Sequence, residues 1–334
     1  MKRILLSLFT LFFLILLLGF PSAALEGARN GLLLWAYTVL PALLPFMIVT
    51  GIIAALDIVN LAVRPFFPLL SGFFHFSQPA CFVFLTGLLC GYPMGAKMDR
   101  DLLEGDQITP TEAKYLLAVC NHPSPMFLTG YTALEGQKLF PASKSFPLII
   151  FLIALYLPVF PVSILARHYY EKKERNAKNT GFIYDPAKSG KTTEKSKAFS
   201  LDDHLISCLE TMEKIGLYIM LFSILSLYLF RFPLPGPILF KSALMGLLEI
   251  TTGIRTICEN ASGLPGLLLI TASVSFGGIS GIFQTRSVLS TSSDRKNAGL
   301  SIRHYIFWKA LHSLLSCAFL FVLWKFYASS FFSS

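Results

Sequence analysis

Charge is the scarcest commodity in this sequence. Asp, Glu, Lys and Arg make up 14% of its 334 residues, where an ordinary soluble domain carries roughly 25%. Apolar side chains fill the gap: they are 54% of the chain, with 31 phenylalanines among them, and mean hydropathy is positive. A soluble core of this length cannot hide so much apolar surface, but a bilayer can. Disorder, a solenoid array and a soluble enzyme are excluded on that ground. Paired cysteines are missing too. Residues 81, 90, 120, 208, 258 and 317 are scattered without a CxxC pair, so no disulfide or zinc framework is implied. No nucleophile–base set and no metal-ligand cluster is seen, so no catalytic residue, metal or cofactor is assigned.

The charge that is present has one sign and one main location. Net charge is +9. Between Arg167 and Lys197 nine basic residues face four acids, so this stretch alone supplies +5. A basic loop between apolar runs marks a cytoplasmic side. It is not a nucleic-acid surface, because no aromatic residues alternate with the base-contacting types. Its phosphate-loop echo, residues 190–195, lacks the first glycine at the needed spacing. The class is therefore all-α: a polytopic membrane protein with the bilayer as its first partner and no nucleic acid.

Lys2-Arg3, seventeen uncharged residues from Ile4 to Phe20 and then Pro21-Ser22-Ala23-Ala24 follow the grammar of a secretory signal and equally of a first membrane helix. The many spans that follow favour a retained helix, so residues 1–30 are assigned to an N-terminal membrane helix or signal anchor. A span from Gly31 to Leu56 carries Pro41 and Pro45, which are expected to kink or break it. Residues 64–76 (RPFFPLLSGFFHF) and 79–92 are too short to cross, and suit re-entrant or interfacial pieces. Thr109-Pro110-Thr111-Glu112 reads as a helix start, and the prolines of CNHPSPMFLTG (120–130) end that helix. Ser145–Ala166 is a further span. Beyond the basic linker (167–200) come an amphipathic approach (201–214), a span over 215–230, an apolar run over 238–250, another over 264–284 and a last span over 305–327.

The two halves repeat one order: a span, a proline-rich entry, a short apolar segment ending in a polar turn, a second broken segment and a closing span. The turns are LLCGYPMGAK (88–97) and LLEITTGIR (247–255), and the second breaks are CNHPSPMFLTG and SFGGISGIFQT (275–285). With Lys2-Arg3 inside, residues 31–166 enter from the outside. The basic linker makes residues 201–334 enter from the inside, with 167–214 and the N-terminus cytoplasmic; Arg295, Lys296 and Arg303 also fit an inner face. Two such units form an inverted repeat with broken or re-entrant helices, the plan of many secondary transporters. Unwound backbone at membrane depth is tolerated only when buried or lining a wet cavity.

At GYPMGAK (91–97), CNHPSPMF (120–127), LLEITTG (247–253) and SFGGIS (275–280) the chain resembles the YlbJ-type sporulation integral membrane proteins, the stage V family carrying the Gate, or nucleoside-recognition, domain. The resemblance runs from about Leu32 to the last span. Two positions depart from the family pattern: His122 stands where a second asparagine is expected, and no histidine occurs near Ile282 before Gln284. The resemblance implies a multi-pass protein of the outer forespore membrane, needed for spore cortex formation and linked to moving dipicolinic acid out of the mother cell. The wider group includes parts of nucleoside and ferrous-iron transporters, so nucleoside or metal-ion transport is the alternative. A non-transporting scaffold for cortex assembly is the reading from another class.

Dipicolinate is a small planar dianion, and a site for it needs donors, positive potential and a flat wall. Broken helices offer free N–H groups and a positive end. On that logic Gly91, Gly95, Ser124, Gly277, Gly278 and Ser280 let backbone approach the substrate, while Asn121 and Gln284 donate from side chains. Tyr92 and Phe276 wall the ring. Lys97, with Arg255 and Arg286, supplies cationic character unless these side chains snorkel to headgroups. A carboxylate in an apolar run costs roughly 2.5–3.5 kcal/mol on insertion scales. Glu249 is thus either the partner of a coupling proton or cation, or half of a pair with Lys241 or Arg255. Thr252 belongs to the same set, and His122 either titrates near neutral pH or caps the break. A homo-oligomer is the remaining partner expectation.

Overall fold

A computed structural model describes residues 2–56, 58–142, 144–179, 200–232, 236–289 and 300–332. Most of these residues are helical, with no strand among them. The helices are α1 (Lys2–Gly19), α2 (Pro21–Leu34), α3 (Leu40–Ala55), α4 (Val59–Val63), α5 (Phe67–Phe74), α6 (Gln78–Cys90), α7 (Met94–Glu104), α8 (Pro110–Val119) and α9 (Ala133–Gly136). After them come α10 (Leu148–Tyr156), α11 (Val159–Asn179), α12 (Leu201–Arg231), α13 (Ile238–Leu248), α14 (Ile250–Asn260), α15 (Gly263–Phe276), α16 (Gly278–Leu289) and α17 (Ile302–Phe332).

Among the described residues five helical runs are long and apolar enough to cross a bilayer: Pro21–Ala55, Leu148–Lys172, Leu201–Arg231, Gly263–Leu289 and Ile302–Phe326. A sixth is possible by length if α5 and α6, which meet at 97°, are one broken span. Large apolar side chains such as Leu18, Ile149, Leu314 and Phe326 point outward, as they must where the surrounding solvent is lipid.

The prolines expected to break the first long span do not. Pro21–Ala55 runs as one helix, and it starts at Pro21 rather than Gly31. A widened π turn over Trp35–Val39, closed by Leu40 N–H donating to the Trp35 carbonyl, lies just before Pro41. Such a turn accommodates the amide bond that proline cannot make. Trp35 also anchors the turn sideways: its indole N–H donates to the Met212 carbonyl at 3.0 Å, and its ring lies where a Cβ on Gly216 would sit.

Two other boundaries move. The stretch 201–214 and the span after it are a single helix, α12, because nothing between them breaks the ladder. Ser200 caps it by accepting from Asp203 N–H. The linker expected from residue 167 begins later, since α11 continues to Asn179 with an Arg167–Glu171 pair one turn apart. Residues 180–199, which held most of the basic linker, Pro233 of the second proline-rich entry, and Arg295 and Lys296 lie outside the described residues. The Thr109 cap is present as read: its hydroxyl accepts from Glu112 N–H, with Pro110 opening α8.

The α2 helix packs along α12 through a small-residue stripe, Ala23, Gly27 and Gly31, one position in four. A Cβ at Gly27 would lie 2.7 Å from Ile224 Cα, and one at Gly31 would lie 2.8 Å from Met220 Cα. Absent side chains are what let the backbones approach this closely, the usual helix-pairing device in membranes. Gly31→Leu is expected to force the pair apart at a cost of about 1–3 kcal/mol. A thermal midpoint of the purified variant equal to that of the parent would refute the contact.

Candidate functional site

Four interruptions divide the shorter helices, two in each half. In the first half, α6 ends at Cys90, and Gly91 takes a left-handed φ of 86° before Tyr92, Pro93 and the start of α7. Further on, α8 ends at Val119, and residues 121–124 carry no regular structure before a π turn over Phe127–Thr132. In the second half, α13 and α14 meet at the extended residue Glu249. The last interruption, between α15 and α16, is at Gly277 and Gly278, with φ of 88° and 65°. These are the stretches singled out from the sequence, and they converge.

One cavity is lined by Gly91 and Tyr92, by Pro123 and Ser124, by Glu249 to Thr251, and by Gly277, Ser280, Gly281 and Gln284. The π turn of the first long span adds Thr38 and Val39, and α12 adds Ile219. Thr38, Ile219 and Gly277 each fall within three residues of the midpoint of their spans. The cavity is therefore at mid-span, walled by these segments, where irregular backbone can exist in lipid.

Backbone contact between the two interruptions of the first half is extreme. A Cβ on Gly87 would stand 1.7 Å from the Cys120 carbonyl oxygen, and one on Gly95 would stand 2.2 Å from it. Gly95 thus serves the approach of chain to chain, where an approach to substrate was expected. Gly278 behaves alike, with the Leu247 and Leu248 carbonyls 3.4 Å from its would-be Cβ. Gly91 and Gly277 do face the cavity.

The Asn121 side chain is also committed elsewhere. Its Oδ1 accepts from Ala96 N–H at 3.0 Å, and its Nδ2 donates to Thr285 Oγ1 at 3.3 Å and Tyr305 Oη at 3.4 Å. It ties α7, α16 and α17 to the break and does not line the cavity. His122 is buried, with its ring edge-on to His312 at 5.2 Å and its Nε2 against the Val119 carbonyl. That is the capping and packing arrangement. Ser124 accepts from Phe127 N–H at 3.2 Å, and Gln284 Nε2 donates to Ser280 Oγ at 3.0 Å, both on the cavity wall.

Glu249 pairs with neither expected cation. Arg255 is exposed and bonded to Glu259 at 3.2 Å, while Lys241 donates to the Phe232 carbonyl at 3.1 Å. The Glu249 carboxylate instead caps its own helix. It accepts from Thr251 N–H at 3.1 Å, Thr251 Oγ1 at 2.6 Å and Thr252 N–H at 2.7 Å. An acid at a helix N-terminus is stabilised by the unpaired amides and the dipole there, which is how the chain holds this group 1% exposed. Thr252 turns away to Ser223 at 3.1 Å. Lys97 binds Asp101 at 2.8 Å and Arg286 is exposed, so neither lines the cavity.

With this geometry in view, likeness to known proteins can be set beside it. The chain is 26% identical to the sporulation integral membrane protein YlbJ of Bacillus subtilis (strain 168), over 97% of this chain and 83% of that one. The likeness spans nearly the whole chain and supports a YlbJ-type family. The five long apolar helices among the described residues make this chain a multi-pass membrane protein. No family model matches it, and no solved structure matches it.

The cavity has neighbours that reading the sequence missed. Lys309, two turns into the last span and 2% exposed, donates to the Asn121 backbone carbonyl at 2.9 Å. A lysine inside an apolar helix was the signal available. Thr251 and Thr38 on the cavity wall had no signal beyond adjacency. Glu249→Ala is expected to leave the Thr251 and Thr252 amides without an acceptor and to cost about 1–3 kcal/mol. Thermal unfolding in detergent reads this loss, and an undiminished midpoint would show that the cap is dispensable.

Proposed function

We propose that this chain carries a small organic anion, foremost dipicolinic acid, from the mother cell across the outer forespore membrane and so serves spore cortex formation. The observation that carries this reading is the meeting of four broken stretches, two from each half, on one mid-span cavity. A scaffold needs spans but has no use for paired interruptions that share a polar wall. In this reading residues 31–166 and 201–334 are inverted repeats that rock about the cavity.

The wall suits a flat ring with acidic substituents. Tyr92 and Phe127 offer apolar faces, while Ser280, Gln284, Thr251 and Ser124 offer polar atoms. The N-terminus of α16 presents amides beside Gly278 and Ser280, a favourable end for a carboxylate. At α14 that end is already occupied by Glu249, which leaves this acid to receive a coupling proton or cation. The cavity measures about 50 Å³. At ~10–15 Å³ for each water, this is room for a few waters and not for a pyridine ring with two carboxyl groups. Substrate binding therefore goes with a wider cavity, as alternating access requires.

Purified protein in proteoliposomes is expected to take up labelled dipicolinate. Substituting Gln284→Ala together with Ser280→Ala is expected to lower the rate about tenfold at equal protein incorporation. Uptake of labelled uridine without dipicolinate would replace this reading with the nucleoside one, and transport of neither would end it in favour of a scaffold.

A further inference from the structure

Lys309 is an unusual group to find where it is. Its ammonium can donate three hydrogen bonds, yet it makes one, to the Asn121 carbonyl. Among the described residues no acid lies within ion-pair distance of it. A lysine inside a membrane helix normally pairs with an acid or faces a pathway. The acid on the cavity wall, Glu249, is engaged by Thr251 and Thr252, and the paired rings of His122 and His312 at the Asn121 turn bring no negative charge.

What separates Lys309 from the cavity is one aromatic ring. The Nζ atom sits 5.7 Å from the centre of the Tyr92 ring, and Tyr92 lines the cavity. On that wall the ring rests between two glycines. It lies 3.8 Å from where a Cβ on Gly277 would be and 3.8 Å from the same point on Gly281. Lys309 Cε is 4.0 Å from the Gly277 point. Neither glycine presents a side chain to the ring. Its hydroxyl is buried with no hydrogen-bond partner among the described residues.

We propose that Lys309 is the cation that receives one carboxylate of the transported anion, and that the Tyr92 ring is a shutter which covers it in the closed cavity and moves aside when the anion enters. The substrate class named is a planar aromatic diacid, with one carboxylate on Lys309 and the ring against Tyr92. This deepens the organic-anion reading above and rests on it. It also accounts for a site whose expected cations, Lys97, Arg255 and Arg286, are not at the cavity: the positive charge comes from the last span.

The test is equilibrium binding of pyridine-2,6-dicarboxylate and of the uncharged pyridine-2,6-dicarboxamide to the full chain in nanodiscs. Lys309→Gln is expected to weaken dicarboxylate binding at least tenfold and leave diamide binding within twofold, while Lys309→Arg retains most of the dicarboxylate affinity. Parental dicarboxylate affinity in Lys309→Gln would overturn the assignment while leaving the organic-anion reading intact. Absence of binding by the unmodified chain would sink that reading and this one together. Because Lys309→Gln could fail to fold, a second measurement uses the unmodified chain: the rate at which a small amine-acylating reagent modifies Lys309, followed by peptide mass spectrometry. Saturating dicarboxylate is expected to slow it at least threefold, and an equal rate with and without the diacid would overturn the proposal.

Discussion

A helix that stops inside an apolar bundle leaves amides and carbonyls that lipid cannot satisfy, and every other feature of this molecule follows from where those groups find partners. The chain answers with backbone and side chains from distant segments. The Cys120 carbonyl is wedged against Gly87 and Gly95. The next residue, Asn121, bonds to Ala96, Thr285, Tyr305 and Lys309. Tyr131 donates to the Thr251 carbonyl at 2.7 Å and Tyr156 to the Pro123 carbonyl at 3.1 Å. The interruptions in the two halves are thus stitched to one another and to the last span, and the cavity is the space left between them.

This stitching divides the polar residues of the centre into two groups. Asn121, His122, Thr252, Gly95 and Gly278 hold the interruptions together. Gly91, Tyr92, Ser124, Glu249, Gly277, Ser280 and Gln284 face the space they enclose. The halves are built alike in order but not in chemistry. The first break uses a left-handed glycine and an aromatic residue, and its counterpart uses a capping carboxylate. Among the described residues, the N-terminus of α14 at the cavity thus carries a built-in negative charge.

The last helix holds a role that its sequence does not advertise. Its net hydrophobic character marks a closing span, yet Tyr305 and Lys309 lie one turn apart on the face that meets the Asn121 turn. Trp308, between them, bonds to Tyr170 on α11 at 3.0 Å and so fixes that face. Rotation of this helix would withdraw support from the first-half break and the Tyr92 ring at once.

Composition and order along the chain were enough to establish a helical, multi-pass membrane protein, to mark the four interruptions, and to locate the Thr109 cap. Each of these rests on local physics: apolar length against bilayer thickness, φ preference at Gly91 and Gly277, and missing amides at proline. Three-dimensional structure alone decided which residues at the interruptions face inward. Asn121 and Gln284 are both polar residues beside a break, and only the helices packed around them make one a brace and the other part of the wall. Tertiary context also decided that Pro41 is carried through by a π turn seated on α12 and that Lys309 reaches the Asn121 turn. Those outcomes depend on contacts between residues more than a hundred positions apart, and no periodicity or propensity within a single segment encodes them.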